Sequence, residues 1–228
     1  MEKNMNYIYE IEAKSKQDAE KKALEVLGLK AEDVSFKPVT SSRGILGLVS
    51  RKPSVLRVYP EKKDIPVEAN IKGVLLTLVK KMGIQAEVVQ TGELDGNLYI
   101  ELTSQDSGIL IGKHGRTLDA LQFVLNLMID SQLRGGKRIM IDVESYRGKR
   151  QASLNRLAKS VADRVARSGQ SVLLEFMNPY ERRIIHLALE DDDRVFTESD
   201  GTGVYKRVRV IPQGMDDDRQ PDFPDDDE

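Results

Sequence analysis

The sequence predicts an α+β protein of three small domains, with a helical tether between the last two. The chain of 228 residues is long enough for one large domain or for two to three small ones. Short helical and strand-like apolar patterns alternate along it, which favours small domains. Their order indicates a βαββ unit, then helix, strand, strand, short helix, helix and strand, and finally helix, strand, helix and two strands.

The composition excludes several kinds of site. The chain has no cysteine and two histidines, so disulfides and the common zinc and iron-sulfur sites lack their ligands. We therefore expect no metal and no cofactor. No apolar run approaches the roughly 20 residues of a membrane span, and the N-terminus lacks the apolar core of a signal peptide. These features predict a soluble cytoplasmic protein without membrane insertion.

The net charge of -2 conceals an uneven distribution. Residues 215–228 carry eight acidic groups and one basic residue, Arg219. We expect an acidic tail over residues 214–228 to be disordered. Residues 107–170 hold twelve Lys or Arg against five Asp or Glu. Such a basic segment is typical of a polyanion-binding surface, although a solvated helix face would have the same composition.

The first domain is expected over residues 1–59, followed by a charged linker over residues 60–65. Residues 7–13 resemble a strand, and Ser15 with Asp18 resembles a capping box that opens a helix ending at Gly28. Residues 34–39 and 55–58 supply two further strands, joined through a glycine-containing turn at residues 42–48 and through Lys52 and Pro53.

In the second segment, apolar residues at helical spacing are followed by two alternating strands. The helix ends at Gly83, and its apolar face comprises Ile71, Val74, Leu75, Leu78, Val79 and Met82. The strands cover residues 84–91 and 98–102, and Asp95-Gly96 between them is a hairpin signal. A β-branched run at residues 139–143 predicts a third strand.

A two-glycine turn lies between the short helix at residues 108–111 and a longer helix. The turn residues are Gly112, Lys113, His114 and Gly115. The apolar face of the longer helix is predicted to comprise Leu118, Leu121, Val124, Leu125 and Met128. Glycines without Cβ atoms let a phosphodiester approach the main chain, and the helix beginning near Arg116 offers N–H groups and a positive dipole end.

These features predict a nucleic-acid backbone clamp, with Lys113, His114 and Arg116 as side-chain donors. A plain helical hairpin is the structural alternative. A nucleoside-triphosphate loop is rejected, because the glycine spacing is one residue short and His114 stands where Ser or Thr should hold magnesium.

The motif and the element order resemble a KH domain of type II, covering residues 66–144. This resemblance implies that Gly112, Lys113, His114 and Gly115 clamp about four nucleotides of single-stranded RNA or DNA, with the bases against an apolar groove. Ile109, Leu110 and Ile111 then line either the groove or the core beneath it.

The last segment begins with a predicted long helix over residues 144–169, which we expect to tether two domains. Its narrow buried stripe comprises Leu154, Leu157, Val161 and Val165. Residues 171–176 resemble a strand, residues 179–190 a helix with Pro179 in its first turn, and residues 195–198 and 205–211 two strands.

Arg182 and His186 are four residues apart and share a helix face, where they could bind one anion or simply form helix surface. Together with residues 199–203 and 206–210, the motif at residues 178–186 resembles the R-3-H domain, and the tether helix and this domain together cover residues 145–213. That resemblance implies single-stranded nucleic acid binding with Arg182 and His186 as phosphate contacts. Lys206, Arg207 and Arg209 are weaker candidates, since strand alternation points only some of them to that face.

The turn at residues 44–47, Gly-Ile-Leu-Gly, and the order of the three domains resemble the Jag (SpoIIIJ-associated) family of bacterial proteins. The resemblance implies a non-catalytic protein that binds single-stranded RNA and regulates gene expression after transcription, linked to cell elongation and division. It also implies a small stand-alone KH protein as a partner. The sequence leaves open a homodimer and a preference for single-stranded DNA.

Two other functions compete with RNA binding. The acidic residues 190–193 could bind magnesium in a nuclease, but they follow a helix C-terminus, and no second carboxylate cluster accompanies them in the sequence. Alternatively, the chain is mainly an adaptor whose N-terminal domain docks a membrane-associated partner.

Overall fold

The computed structural model describes residues 7–39, 54–61, 65–129, 133 and 137–214. The chain divides into two compact units, residues 1–146 and 147–228. The described residues form three separate three-stranded sheets with helices packed on them, and the predicted α+β class is confirmed. The turns predicted at residues 42–48 and at Lys52-Pro53, residues 62–64 of the linker and the acidic tail from residue 215 onward lie outside the described residues.

The N-terminal domain is a βαββ unit, as the sequence predicts. It consists of β1 (Tyr9–Ala13), α1 (Lys16–Leu27), β2 (Val34–Pro38) and β3 (Ser54–Pro60), with the antiparallel strand order β1-β3-β2. The Asp18 amide donates to Ser15 Oγ at 3.1 Å, and Gly28 ends the helix with φ +66°. The predicted N-cap and helix end are therefore confirmed.

This domain and the next share the first unit and pack together. Ala69 of the following helix is buried in the N-terminal core, while Tyr9 and Val26 pack against the core of the second domain. Lys80 lies 3.9 Å from carboxylate oxygens of both Glu10 and Glu12.

The second domain follows the predicted order of elements. It contains α2 (Val67–Lys81), β4 (Glu87–Leu94), β5 (Asn97–Thr103), α3 (Ser107–Ile111), α4 (Arg116–Ile129) and β6 (Ile139–Val143). The strand order is β4-β5-β6, with β4 and β5 antiparallel and β5 and β6 parallel. Asp95 (φ +51°) and Gly96 (φ +77°) form the predicted hairpin turn.

The buried face of α4 differs from the prediction. The structure buries Leu118, Leu121, Leu125 and Ile129. Val124 and Met128, predicted on the same face, are exposed, and Phe123 and Leu127 beside them are exposed as well. The helix carries more apolar residues than one contact with the sheet can cover, so helical spacing alone could not separate the covered residues from the rest. We call Phe123, Val124, Leu127 and Met128 the α4 stripe.

The outer edge of β6 is closed by two side chains of α4. The Asn126 carboxamide accepts from the Ile139 amide and donates to the Ile139 carbonyl, both at 2.8 Å, while Gln122 accepts from the Ile141 amide at 3.0 Å. These bonds satisfy backbone groups that would otherwise be open to another strand. They also fix the register between the helix after the glycine turn and the sheet.

The second unit contains α5 (Tyr146–Ser168, of which residue 147 onward belongs to this unit), β7 (Val172–Leu173), α6 (Pro179–Ala188), β8 (Val195–Asp200) and β9 (Arg207–Pro212). The antiparallel strand order is β7-β9-β8. Residues of α5, α6 and the sheet form one core, which includes Leu154, Val161, Ile184, Ile185, Val208 and Val210. Leu157, predicted in the buried stripe, is 40 % exposed.

Several predicted boundaries in this region were wrong. The helix begins at Tyr146 instead of residue 144, because Glu144 and Ser145 adopt left-handed conformations (φ +51° and +55°) that a right-handed helix cannot contain. The helix predicted to reach residue 190 ends at Ala188. The strand predicted over residues 171–176 shortens to Val172–Leu173, because a bulge interrupts its pairing with β9.

Candidate nucleic-acid interface

The two-glycine turn connects α3 to α4 through a short 3-10 turn at Lys113–Gly115. Three of its residues have positive φ: Gly112 at +72°, His114 at +53° and Gly115 at +78°. The reversal places residues 112–115 directly before the first turn of α4, whose N–H groups and dipole favour an anion.

Both glycines are required by the fold itself. A Cβ atom on Gly112 would collide with the hydroxyl of Thr117, and one on Gly115 would lie 2.9 Å from Cε1 of Tyr146. The approach of a phosphodiester, for which the sequence predicted these glycines, accounts for only part of this requirement. The turn is held between Thr117 on one side and Tyr146 on the other, so its conformation is set before any ligand binds.

The predicted clamp side chains differ in exposure. Lys113 and Arg116 are exposed, and His114 is partly buried. The three apolar residues before the turn also separate: Leu110 is fully buried in the core, Ile111 is partly buried, and Ile109 is 63 % exposed. Leu110 therefore belongs to the core beneath the turn, whereas Ile109 lies on the surface beside the turn.

In the last domain, Arg182 holds two backbone segments together. Its Nη1 donates to the carbonyl of Met177 at 3.0 Å and to the carbonyl of Val204 at 2.9 Å. Among the described residues, Nε and Nη2 of Arg182 have no hydrogen-bond partner. The guanidinium is thus fixed by one nitrogen, and its position ties the loop before β9 to the segment before α6.

His186 lies one helical turn further on and contacts β8. Its Nδ1 is 2.6 Å from Thr197 Oγ1, and its Nε2 is 3.2 Å from Ser199 Oγ. Burial, and to a lesser extent the positive charge of Arg182, lower the pKa of His186 below its usual value. The ring is therefore a neutral hydrogen-bonding group at pH 7. Sequence reasoning missed both hydroxyls, although their spacing of two along a strand places them on one face.

The basic residues of β9 point to different faces. Thr197 and Ser199 pair with Val210 and Val208, so all four face α6. By alternation Arg207 and Arg209 face the opposite side of the sheet. Arg209 Nη2 binds Asp200 Oδ2 at 2.6 Å, and the Arg207 guanidinium lies over the Phe176 ring at 4.5 Å. Lys206, which bridges to Met177, belongs to the same face as Val208.

Three family models match the chain in the same order as these folded regions. They are the Jag N-terminus over residues 11–60, the KhpA/KhpB KH domain over residues 68–143 and the R-3-H domain over residues 152–212. The fold and the two candidate sites thus define a chain with two domains of nucleic-acid-binding type after a Jag N-terminal domain.

Similar whole proteins are known. An RNA-binding protein KhpB of Clostridium symbiosum is 36% identical over 202 residues, covering 88% of this chain and 89% of its own. KhpB of Bacillus subtilis is 30% identical over 196 residues, covering 85% and 92%. KhpB of Lactiplantibacillus plantarum is 37% identical over 137 residues, covering 60% of this chain and 42% of its own. The chain belongs to the KhpB (Jag) family.

Proposed function

We propose that this chain is a non-catalytic protein that binds single-stranded RNA through its KH turn and its R-3-H domain. The observation that carries the proposal is the turn at residues 112–115, which has positive φ at three of its four residues and stands at the start of α4 with Lys113 and Arg116 exposed beside it. The names of the related proteins, all RNA-binding proteins, support RNA as the ligand.

At the KH turn, phosphates would approach the backbone of Gly112 and the N-terminus of α4. Lys113, His114 and Arg116 add cationic or hydrogen-bonding groups, which supply affinity but carry no base information. Ile109, exposed in the preceding helix, offers an apolar surface for a base. The contact is therefore expected to be weakly sequence-selective.

At the R-3-H domain, Arg182 would bind a phosphate through Nε and Nη2, while Nη1 stays on its two carbonyls. The neutral His186 ring is a second contact, since its Nε2 bond to Ser199 is the longer of its two and can be exchanged for a phosphate oxygen. Lys206 contributes charge from the same face of the sheet. Arg207 faces the other side of the sheet, where its guanidinium lies over the Phe176 ring.

The nuclease alternative receives no support from the geometry of residues 190–193. Asp192 binds Arg194 at 2.8 Å, and this hydrogen bond lowers the pKa of Asp192. Within the described ranges, no three acidic or histidine side chains gather into a possible metal site. A carboxylate neutralised by an arginine is a poor magnesium ligand.

Among the residues that the structure describes, none of the helices has both the length and the apolar character that a membrane span requires.

The α4 stripe supports a protein partner. Its four residues are between 42% and 70% exposed and lie on one side of a helix, an arrangement typical of a helix-to-helix interface. A small stand-alone KH protein would present a comparable helix, and a homodimer would pair two copies of the same stripe. With such a partner, the protein would regulate cytoplasmic transcripts needed for cell elongation and division.

Binding of fluorescent single-stranded RNA, followed by anisotropy, tests the proposed function. Lys113→Asp with His114→Asp should weaken binding at least about tenfold, because acidic groups then face phosphates. Asp tolerates the left-handed conformation at position 114, so circular dichroism should stay unchanged. Lys21→Asp with Lys22→Asp on α1 alters charge at least as much and should bind as the wild type does. Equal affinity of the turn variant and the wild type would refute the clamp.

A further inference from the structure

The segment after β7 contains a bulge opposite Arg207. The Leu174 amide donates to the Val208 carbonyl at 2.9 Å, and the Met177 amide donates to the Lys206 carbonyl at 2.8 Å. Glu175 and Phe176 therefore stand opposite Arg207 alone. Extra residues of this kind change the direction of a side chain, and here the bulge turns Phe176 outward onto the sheet face that carries Arg207.

Phe176 and Arg207 form a partly exposed cation–π pair. The guanidinium carbon lies 4.5 Å from the centre of the Phe176 ring, within the range of a cation–π interaction. Phe176 remains 44% exposed. The Nε atom of Arg207 is buried and has no hydrogen-bond partner among the described residues, an arrangement that a protein's own fold ordinarily avoids.

Along the chain, the pair is next to residues that hold Arg182 in place. Met177, whose carbonyl binds Arg182, follows Phe176 directly, and Lys206 precedes Arg207. Two further apolar side chains, Tyr180 and Val204, are more than half exposed in the same two segments. Exposed aromatic groups that alternate with cations are the usual surface for single-stranded nucleic acid, because bases stack on rings while phosphates meet the charges.

We propose that Phe176 and Arg207 form a base-stacking subsite for single-stranded nucleic acid, on the sheet face opposite α6 and next in sequence to Met177, whose carbonyl holds Arg182. The proposal rests on the proposed function of this domain and assigns Arg207 to a base rather than to a phosphate. A planar guanidinium stacked on a ring presents a second flat face to a base. No hydrogen-bonding pattern selects the base, so stacking strength decides and purines bind better than pyrimidines.

The chain contains no tryptophan, which allows a direct test. Phe176→Trp in the full-length chain places its single tryptophan in the subsite, and the indole can be excited selectively over the seven tyrosines. Stacking of a base on the indole should quench its fluorescence when oligo(A) is titrated, and less so with oligo(U). An abasic ribose-phosphate oligomer of equal length carries the phosphates without the bases and should not quench it. Leu157→Trp, at a position of similar exposure (40%) on α5, serves as the matched control.

Anisotropy of labelled oligo(A) gives a second, independent readout. Phe176→Leu keeps apolar bulk without a ring and should weaken binding about tenfold, whereas Phe176→Trp should retain it. The subsite is supported if oligo(A) quenches Phe176→Trp while the abasic oligomer does not, and if oligo(A) does not quench Leu157→Trp. The weaker binding of oligo(A) by Phe176→Leu must accompany this result. Equal quenching by the abasic oligomer, or wild-type affinity of Phe176→Leu, overturns it.

Arg182→Ala separates this failure from failure of the proposed function. If Arg182→Ala weakens binding without changing thermal unfolding, but Phe176→Trp is not quenched, the domain binds phosphates and the stacking subsite is wrong. If neither Arg182→Ala nor Phe176→Leu changes affinity, the domain does not bind nucleic acid, and the proposed function of the R-3-H domain fails together with the subsite.

Discussion

The ring of Tyr146 packs against Gly115, so the first residue of α5 contacts the glycine turn that precedes α4. A Cβ atom on Gly115 would lie 2.9 Å from Cε1 of Tyr146. Two left-handed residues, Glu144 and Ser145, turn the chain into this position, where Ser145 Oγ donates to Glu101 at 2.9 Å. Non-glycine residues in this conformation cost about 1–3 kcal/mol each, so the contact is maintained against local strain.

This contact predicts that Tyr146 positions the clamp. Tyr146→Ala should weaken RNA binding several-fold and lower the free energy of unfolding by about 1–3 kcal/mol, because the turn loses its packing partner. Tyr146→Phe keeps the ring and should bind within about twofold of the wild type. Amide hydrogen exchange should show faster exchange at residues 112–116 in Tyr146→Ala than in Tyr146→Phe. Unchanged exchange at these residues would contradict the positioning role.

His186 predicts a pH dependence of stability. Its pKa in the folded protein lies below the unfolded value, so the unfolded state binds more protons as pH falls through about 6.5. The neutral ring therefore stabilises the folded protein above the pKa of the unfolded state, and this stabilisation is lost as the pH falls below it. Thermal unfolding at pH 8 and pH 5.5 should show that the wild type loses more stability between these two pH values than His186→Gln does. Identical losses would mean that burial of the ring has no energetic consequence.

Sequence patterns predicted the elements of this protein better than its side-chain environments. Periodicity and turn residues located the helices, the Asp95-Gly96 hairpin and the N-cap at Ser15. They could not reveal that Arg182 binds the distant Val204 carbonyl, because that contact exists only after residues 22 apart in sequence are brought together. The Phe176 bulge escaped prediction for the same reason, since it depends on the register of β7 against β9.

The acidic tail predicts a salt-dependent effect on binding. Deletion of residues 215–228 removes a net charge of -7. We expect tighter non-specific RNA binding at low salt, because the acidic segment competes with RNA for basic surfaces. The difference should disappear at high salt, since charges more than about 10 Å apart are screened near 0.1 M. Titrations at low and high salt, with a neutral tail of Asn and Gln as the control, measure it. Equal low-salt affinity of all three proteins would exclude competition.

The KH and R-3-H domains are predicted to bind one RNA strand together. Each site is small and is expected to be weak alone, but both belong to one chain, so the second contact is intramolecular once the first has formed. Affinity should therefore rise at least about tenfold once an unstructured oligonucleotide is long enough to reach both sites. Arg182→Ala with His186→Ala should remove that rise and leave the binding of short oligonucleotides at the KH turn unchanged.

A length series measured against both proteins tests this joint binding. Thermal unfolding is an essential control, because Arg182 also holds the Met177 and Val204 carbonyls, and its loss could loosen the last domain. Arg183→Ala, which removes an exposed arginine from the same helix, provides a matched variant that should keep the rise. If affinity does not increase with length in the wild type, or the double variant keeps the increase while folded, the two domains bind independently. The R-3-H domain would then contribute through contacts with protein rather than with the strand held by the KH turn.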